Sequence, residues 1–414
     1  MPWYPKYYML PFSSFFLILL VAVVFSQLFS RMRIPWVVAL LVGGMMIGPG
    51  GLGIFETDPT IQFLASIGLV FLMFMAGLES KFTGTDGIKK HLAVTALTIA
   101  ILPTLVGYLI AALFGYSVAT SILVGIIFMS SSVALLIPQL HQHRLIDSEL
   151  GKMIVGAAIV VDAVSLFLLS VFLQSVAGTF TFATIAVYGA LIAGILLVAW
   201  LVPKIRWLAF SEEYAEEQDL FEKELRFIIL ILIGFVVLFE LVGLHAIIAA
   251  FFAGLVLAGS IKSRLIKAKL HALSYGFFVP VFFVVVGASV DLTVFKEGFD
   301  TLALTVAIVV GLIVSKFVSG WLAGRANGYT CLESSFLGIA VVPQLSTALA
   351  VAFLGFGAGL LDDNLLAAVV VLAVVTATIT PLVTEWLSPR LTSQHVAVRH
   401  SEGDTEAEDT ADQK

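Results

Sequence analysis

The sequence predicts an all-α membrane protein of about thirteen transmembrane helices, built as an inverted repeat with two broken crossing helices. Composition, a chain-long series of apolar runs and glycine-rich segments that recur at near-constant spacing carry that prediction. Of 414 residues, 60% are hydrophobic and only 12% charged, against about 45–50% and about 25% in soluble domains. The 22 Lys+Arg and 28 Asp+Glu are too few to coat a water-soluble body of this size. A soluble enzyme is therefore excluded, and no basic patch points to nucleic acid. The single cysteine, Cys331, cannot close an internal disulfide. The apolar run from about Leu10 is not followed by a small-residue cleavage site, so no removable signal peptide is expected.

A helix needs about 20 apolar residues to cross the hydrocarbon core. In chain order the candidate spans are 10–30, 34–48, 61–78, 91–114, 118–139, 150–173, 180–202, 224–241, 245–260, 273–290, 301–323, 331–356 and 364–387. The second and ninth are short, which suits helices packed inside a bundle better than helices bathed in lipid.

Orientation follows from the basic residues. With the amino terminus outside, 19 of the 22 Lys and Arg fall in inner connections or the carboxyl tail. Lys6 and Lys296 fall outside, and Lys316 lies within a span. A multi-pass protein of the cytoplasmic membrane with its carboxyl terminus in the cytoplasm is expected. Residues 1–390 form the transmembrane domain and 391–414 an acidic tail whose composition reads as disordered. Ser401 to Lys414 alone carry six acids and one base, nearly the whole net charge of −6.

The stretch Ala39 to Gly48 resembles Ala249 to Gly259, and Phe71 to Ser80 resembles Val281 to Asp291. Gly44 and Gly254 are 210 residues apart, as are Gly77 and Gly287; Gly125 and Gly338 are 213 apart. Seven spans separate each pair, an odd number, so the two copies cross the membrane in opposite directions. Inverted repeats place transport sites near the midplane between the copies.

The matched fifth and twelfth spans are the interrupted ones. The fifth carries Ser130, Ser131 and Ser132, followed by Pro138; the twelfth carries Pro343, Gln344, Ser346 and Thr347. Proline removes a backbone donor, and broken backbone at membrane depth is tolerated only against protein or a watery cavity. A kink satisfied by serine back-bonding is the bland alternative, but its occurrence at matched positions favours broken helices lining an ion site. Asp162 lies about halfway along the sixth span, and an intramembrane acid is a functional-site hypothesis by default. It can take a proton or hold a cation, but not both well at once, and that competition couples two fluxes. Ser165, one turn on, shares its face.

Lys316, the basic residue deep in the eleventh span, is expected to meet Asp162 or a broken-helix carbonyl, or to serve only the end dipoles of the broken helices. GPGGLG at Gly48 to Gly53 formally matches a dinucleotide fingerprint but has no strand–helix unit around it, so it reads as a turn. Glu79, Glu240, Asp291 and Glu333 at span ends read as solvated or capping groups. Six histidines on the inner side read as ordinary loop residues, and no spacing resembles a metal site such as HExxH.

Taken together, IPWVVALLVGGMMIGPGGLG, FLMFMAGLES, the Ser-Ser-Ser-Val break, GAAIVVDAVSL, ELVGLHAIIAAFFAGLVL, FFVVVGASVD and the lysine span resemble the sodium/hydrogen exchanger superfamily. Within it they are most similar to the monovalent cation:proton antiporter-2 family, over about residues 10–390. The resemblance implies a sodium/proton antiporter-like fold, a homodimer with interleaved dimerisation and core subdomains, and elevator-like alternating access. It implies that Asp162 binds cation and proton, aided by Ser131 and Ser132, with Lys316 nearby. No cofactor is implied beyond the transported Na⁺ or K⁺ and H⁺, and no enzyme activity.

Two departures matter. Many electrogenic relatives carry an acid immediately before the aspartate, where this chain has Val161, so 1:1 electroneutral exchange is expected. The twelfth span reads Pro343-Gln344-Leu345-Ser346, where many relatives have a Pro-Arg-Gly-Glu-like run. The expected function is exchange of Na⁺ for H⁺, with K⁺/H⁺ exchange and a non-coupled channel or sensor module as rivals.

Overall fold

A computed structural model of the protein describes residues 11–31, 34–79, 89–143, 145–146, 148–176, 178, 222–261, 263–291, 293–297 and 299–411, with side chains as far as Leu387. Among the described residues all regular structure is helical. The helices are α1 (Pro11–Ser30), α2 (Trp36–Ile47), α3 (Pro59–Glu79), α4 (Lys89–Leu113), α5 (Val118–Met129), α6 (Val133–Gln142), α7 (Glu149–Val176) and α8 (Lys223–Leu241). They continue with α9 (Ala246–Ala258), α10 (Arg264–Leu273), α11 (Val279–Ala288), α12 (Val294–Glu297), α13 (Phe299–Ala326), α14 (Cys331–Ala340), α15 (Ser346–Gly357) and α16 (Asp363–Ala411). Seven described stretches are long and apolar enough to cross a membrane, and five apolar helices are shorter. The expected seventh span, 180–202, lies outside the described residues; each of the others coincides with helix.

Apolar stripes face outward, as lipid requires. On α4, Leu97, Ile101, Leu105 and Leu109 are exposed at four-residue spacing, and on α13 so are Leu302, Val306, Val310, Val314 and Val318. The short α2 and α9 are instead largely buried, among them Leu40, Leu41, Ala249 and Phe251. Their length matches that surrounding: a helix enclosed by others need not reach both lipid interfaces.

The glycine repeat is realised as an exchange of partners. A side chain at Gly44 would run into the backbone of Val284 and Ala288, and one at Gly254 into that of Phe74 and Leu78. Each number in the second set differs by 210 from its counterpart in the first. Likewise Gly77 abuts the carbonyl of Phe251, and Gly287 abuts that of Leu41. Thus α2 of the first copy packs on α11 of the second, and α9 of the second on α3 of the first, which is how a two-fold relation interlocks two copies. Membrane helices need such small residues because close van der Waals contact replaces the hydrophobic drive between them. The relation continues at the offset of 213: Gly125 meets the Thr104 carbonyl, and Gly338 meets the Phe317 carbonyl.

Local sequence sets several helix ends. Thr330 and Glu333 form a reciprocal capping box at the start of α14, fulfilling the capping role expected of Glu333. Asp291 accepts hydrogen bonds from the backbone and hydroxyl of Thr293. Gly48 to Gly53 is a turn, as expected, closed by Gly51 N and Gly53 N donating to the Gly48 carbonyl. One expectation shifts. The tenth span is expected at 273–290, yet helix begins at Arg264 and runs through a π-turn (Ser274–Phe278) into α11. In α10 the apolar residues Leu265, Ile266, Leu270 and Leu273 alternate with Arg264, Lys267 and Lys269, and a hydropathy average hides that helical pattern. Pro103 lies inside α4 without ending it.

Candidate functional site

The fifth and twelfth spans are each two helices separated by a stretch of non-helical backbone. Ser130 and Ser132 have extended dihedrals, and 342–345 carry no regular structure. Clusters of hydroxyls, and a proline with no N–H to give, compete with the helical ladder at these places. The two breaks cross and satisfy each other. Ser132 N donates to the Pro343 carbonyl at 2.9 Å, and Ser131 Oγ donates to the Val341 carbonyl at 3.1 Å. Gln344 joins them reciprocally: its Oε1 accepts from Ser130 Oγ at 2.7 Å and its Nε2 donates to the Ser130 carbonyl. Gln344 N in turn donates to Thr376 Oγ1 of α16 at 3.2 Å.

Asp162, on α7 and 2% exposed, reaches this crossing. Its Oδ1 accepts from Ser131 N at 3.0 Å and its Oδ2 from Thr347 Oγ1 at 3.2 Å. Ser131 immediately precedes the cap of α6, and Thr347 lies in the first turn of α15, so the carboxylate faces the positive ends of two half-helices. Lys316, fully buried on α13, serves the opposite pole. Its Nζ donates to the carbonyl of Met129, the last residue of α5, at 2.6 Å and to Ser131 Oγ at 2.9 Å. Of the two partners expected for Lys316, the broken-helix carbonyl is the one it meets directly.

The other expected residues divide by what their oxygens do. Ser132 caps α6 without a side-chain capping bond, and its buried hydroxyl has no hydrogen-bond partner. Such a group is unusual in a native fold, and it sits next in the chain to Ser131, whose N–H meets Asp162. Ser165, although buried, donates to the Asp162 backbone carbonyl at 2.8 Å, so its hydroxyl turns to its own helix instead of to the carboxylate. Ser130, Pro343 and Gln344 hold the crossing, and Ser346 opens α15, buried at 2% exposure. Val161 is buried among apolar residues of α4, α6, α7 and α14 and puts no second acid beside Asp162. Glu224, the other buried acid among the described residues, lies in the first turn of α8.

Sequence reading missed three participants. The carbonyls of Met129 and Val341 are backbone atoms, invisible to residue type. Thr376 has a visible signal: Thr376, Thr380 and Thr384 recur every four residues on α16 and all three are buried.

Comparison with known proteins agrees with this architecture. A family model described as "Sodium/hydrogen exchanger, transmembrane" matches residues 16–388. A "Probable Na(+)/H(+) antiporter 3" of Methanocaldococcus jannaschii is 30% identical over 373 residues, covering 89% of this chain and 94% of its own. The "Na(+)/H(+)-K(+) antiporter GerN" of Bacillus cereus is 29% identical, covering 89% and 95%. Among solved structures, the sodium proton antiporter MjNhaP1 of M. jannaschii superimposes with a TM-score of 0.71 at 17% identity, over 92% of this chain and 98% of that one. A common fold, a match along nearly the whole membrane region and a paired helix break around one buried acid lead to one conclusion: the chain belongs to the transmembrane sodium/hydrogen exchanger family.

Proposed function

We propose that the protein is a secondary antiporter exchanging Na⁺ for H⁺ by alternating access, with one charge moved each way. The observation that carries this reading is the Asp162 carboxylate, buried between two half-helix ends where it accepts from Ser131 N and Thr347 Oγ1; the unpartnered hydroxyl of Ser132, the next residue along, supports it. Na⁺ is a hard ion that takes oxygen ligands. Binding it displaces the proton from the same carboxylate, and the site carries the same charge in either loaded state. With Val161 in place of a second acid, one carboxylate carries one charge per half-cycle, which supports 1:1, electroneutral exchange.

The assay is dissipation of an imposed proton gradient in proteoliposomes on adding Na⁺. Cation-dependent proton movement, lost in Asp162→Asn, is expected. Full exchange by Asp162→Asn, or cation leak without proton movement, would overturn the proposal. An imposed membrane potential should leave the 1:1 rate unchanged. K⁺/H⁺ exchange is the second reading, prompted by the name of the B. cereus relative, and running the assay with Na⁺, Li⁺ and K⁺ in turn separates the two. The bias of 19 of 22 basic residues to alternate connections supports an outside amino terminus and a cytoplasmic carboxyl terminus. The family resemblance supports a homodimer, which cross-linking in native membranes tests.

A further inference from the structure

Among the buried polar groups outside the site at Asp162 that lack a partner, one carries a full amide. Gln139, in the last two turns of α6, is 7% exposed, yet neither its Oε1 nor its Nε2 has a hydrogen-bond partner. A buried amide in that condition is costly, and native folds keep few of them. Ser132, whose hydroxyl is also orphaned, precedes it by seven residues. Seven residues are close to two helical turns, so both side chains stand on one face of α6, about 10 Å apart along the axis. Leu136 and Leu140, beside that face, pack in one cluster with Val383 and Leu387 of α16. On α16 those two share a face with Thr376 and Thr380, by the same spacing rule. Thr376 is committed to the Leu372 carbonyl and to Gln344 N, so the orphaned polar groups along α6 are Gln139 toward its free end and Ser132 at the end nearer the carboxylate. The free end is also the negative end of the α6 dipole, where a cation is favoured.

We infer that Gln139 is a second ligand for the transported monovalent cation, an entry subsite from which a partly dehydrated ion passes to Ser132 and Asp162. The inference rests on the exchange proposed above. An amide oxygen is a neutral, hard ligand that replaces one water of hydration. It lowers the cost of dehydration without adding a fixed charge, so stoichiometry is untouched, and it binds weakly enough to release the ion onward.

Gln139→Met tests this, because methionine has nearly the same length and no polar atom that needs a partner. Were the amide only an orphan, its removal would be neutral or stabilising and transport would not change. The expected result is a variant that melts at or above the wild-type temperature while its KM for Na⁺ rises on the order of tenfold, the loss of one modest ligand. Turnover at saturating Na⁺ and the pH profile should stay at wild-type values. Gln139→Asn, which keeps a shortened amide, should show a smaller rise in KM and serves as the reading if Gln139→Met does not fold. An unchanged KM for Na⁺ in either variant, or a fall in maximal rate at constant KM, would overturn the inference. Wild-type protein that moves no protons on adding Na⁺ would instead defeat the exchange itself, a result seen before any variant is measured.

Discussion

Lys316 and Asp162 are joined through Ser131. The ammonium donates to Ser131 Oγ at 2.9 Å, and the backbone N–H of the same serine donates to Asp162 Oδ1 at 3.0 Å. Among the described residues the two charges form no direct ion pair. The lysine is committed to holding the end of α5 through Met129, and the carboxylate is left without a cationic side chain in direct contact. One serine thus ties the charge that holds the break to the carboxylate on which the proposed exchange turns.

Lys316→Gln should therefore weaken the fold more than it weakens coupling. Losing a charge-assisted bond to a buried carbonyl costs about 1.5–3 kcal/mol. The purified variant is expected to melt several degrees lower, while sodium-driven proton movement in proteoliposomes persists. Abolished exchange in a variant with unchanged Tm would show that the lysine itself carries a transported charge.

Ser132 and Ser165 should separate in binding assays. Ser132→Ala removes a hydroxyl that bonds nothing in the protein, so thermal stability should hold or rise while KM for Na⁺ increases on the order of tenfold. Ser165→Ala removes a bond to its own helix and should leave KM within about twofold, since local back-bonding contributes little. Equal effects of the two substitutions on KM would contradict the assignment of their oxygens.

Gln344→Leu deletes its two side-chain bonds to Ser130 and leaves the Ser130 carbonyl in want of a partner, while the Ser130 hydroxyl keeps the Ile127 carbonyl. A loss of about 2–3 kcal/mol is expected, read as a lower melting temperature together with slower exchange.

Gly77→Ala and Gly254→Ala should each disrupt the contact between α3 and α9, because the added methyl would meet backbone that has no rotamer in which to withdraw. Overpacking of this kind typically costs about 1–3 kcal/mol. Gly234, with open space at the Cβ position, is the control: Gly234→Ala should leave Tm unchanged or raise it. Fluorescence-detected melting in detergent distinguishes these outcomes.

His143, beyond the end of α6, gives a pH test. Burial lowers its imidazole below the ordinary value of 6.5, with Glu385 pulling the other way. The unfolded chain then takes up the proton more readily, so this contribution to stability is complete above the ordinary value and is lost as pH falls below it. Melting temperature should decline on acidification through that range, and His143→Gln should flatten the decline. A slope unchanged by the substitution would place the pH dependence elsewhere.

Much of this molecule is legible in residue order, because lipid imposes a simple rule. Apolar runs had to be helices, and even the short second and ninth spans coincide with helix. The rule misled at Arg264–Leu273, where a polar face lowers the average hydropathy of a real helix. Ser130 to Ser132 and Pro343 announced the two breaks, since hydroxyl clusters and proline undercut the ladder locally. Asp162 announced the site, since a carboxylate at that depth needs a reason.

Sequence alone thus determined the span pattern, the repeat and the identity of the central acid, all of which depend on local chemistry or regular spacing. Tertiary structure decided which oxygens face which. It sent Lys316 to the Met129 carbonyl, turned Ser165 back to its own helix, left Ser132 and Gln139 without partners, and made Gln344 the link across the crossing. Those outcomes depend on backbone groups freed where helices separated by 213 residues cross, and no residue type records the position of a carbonyl.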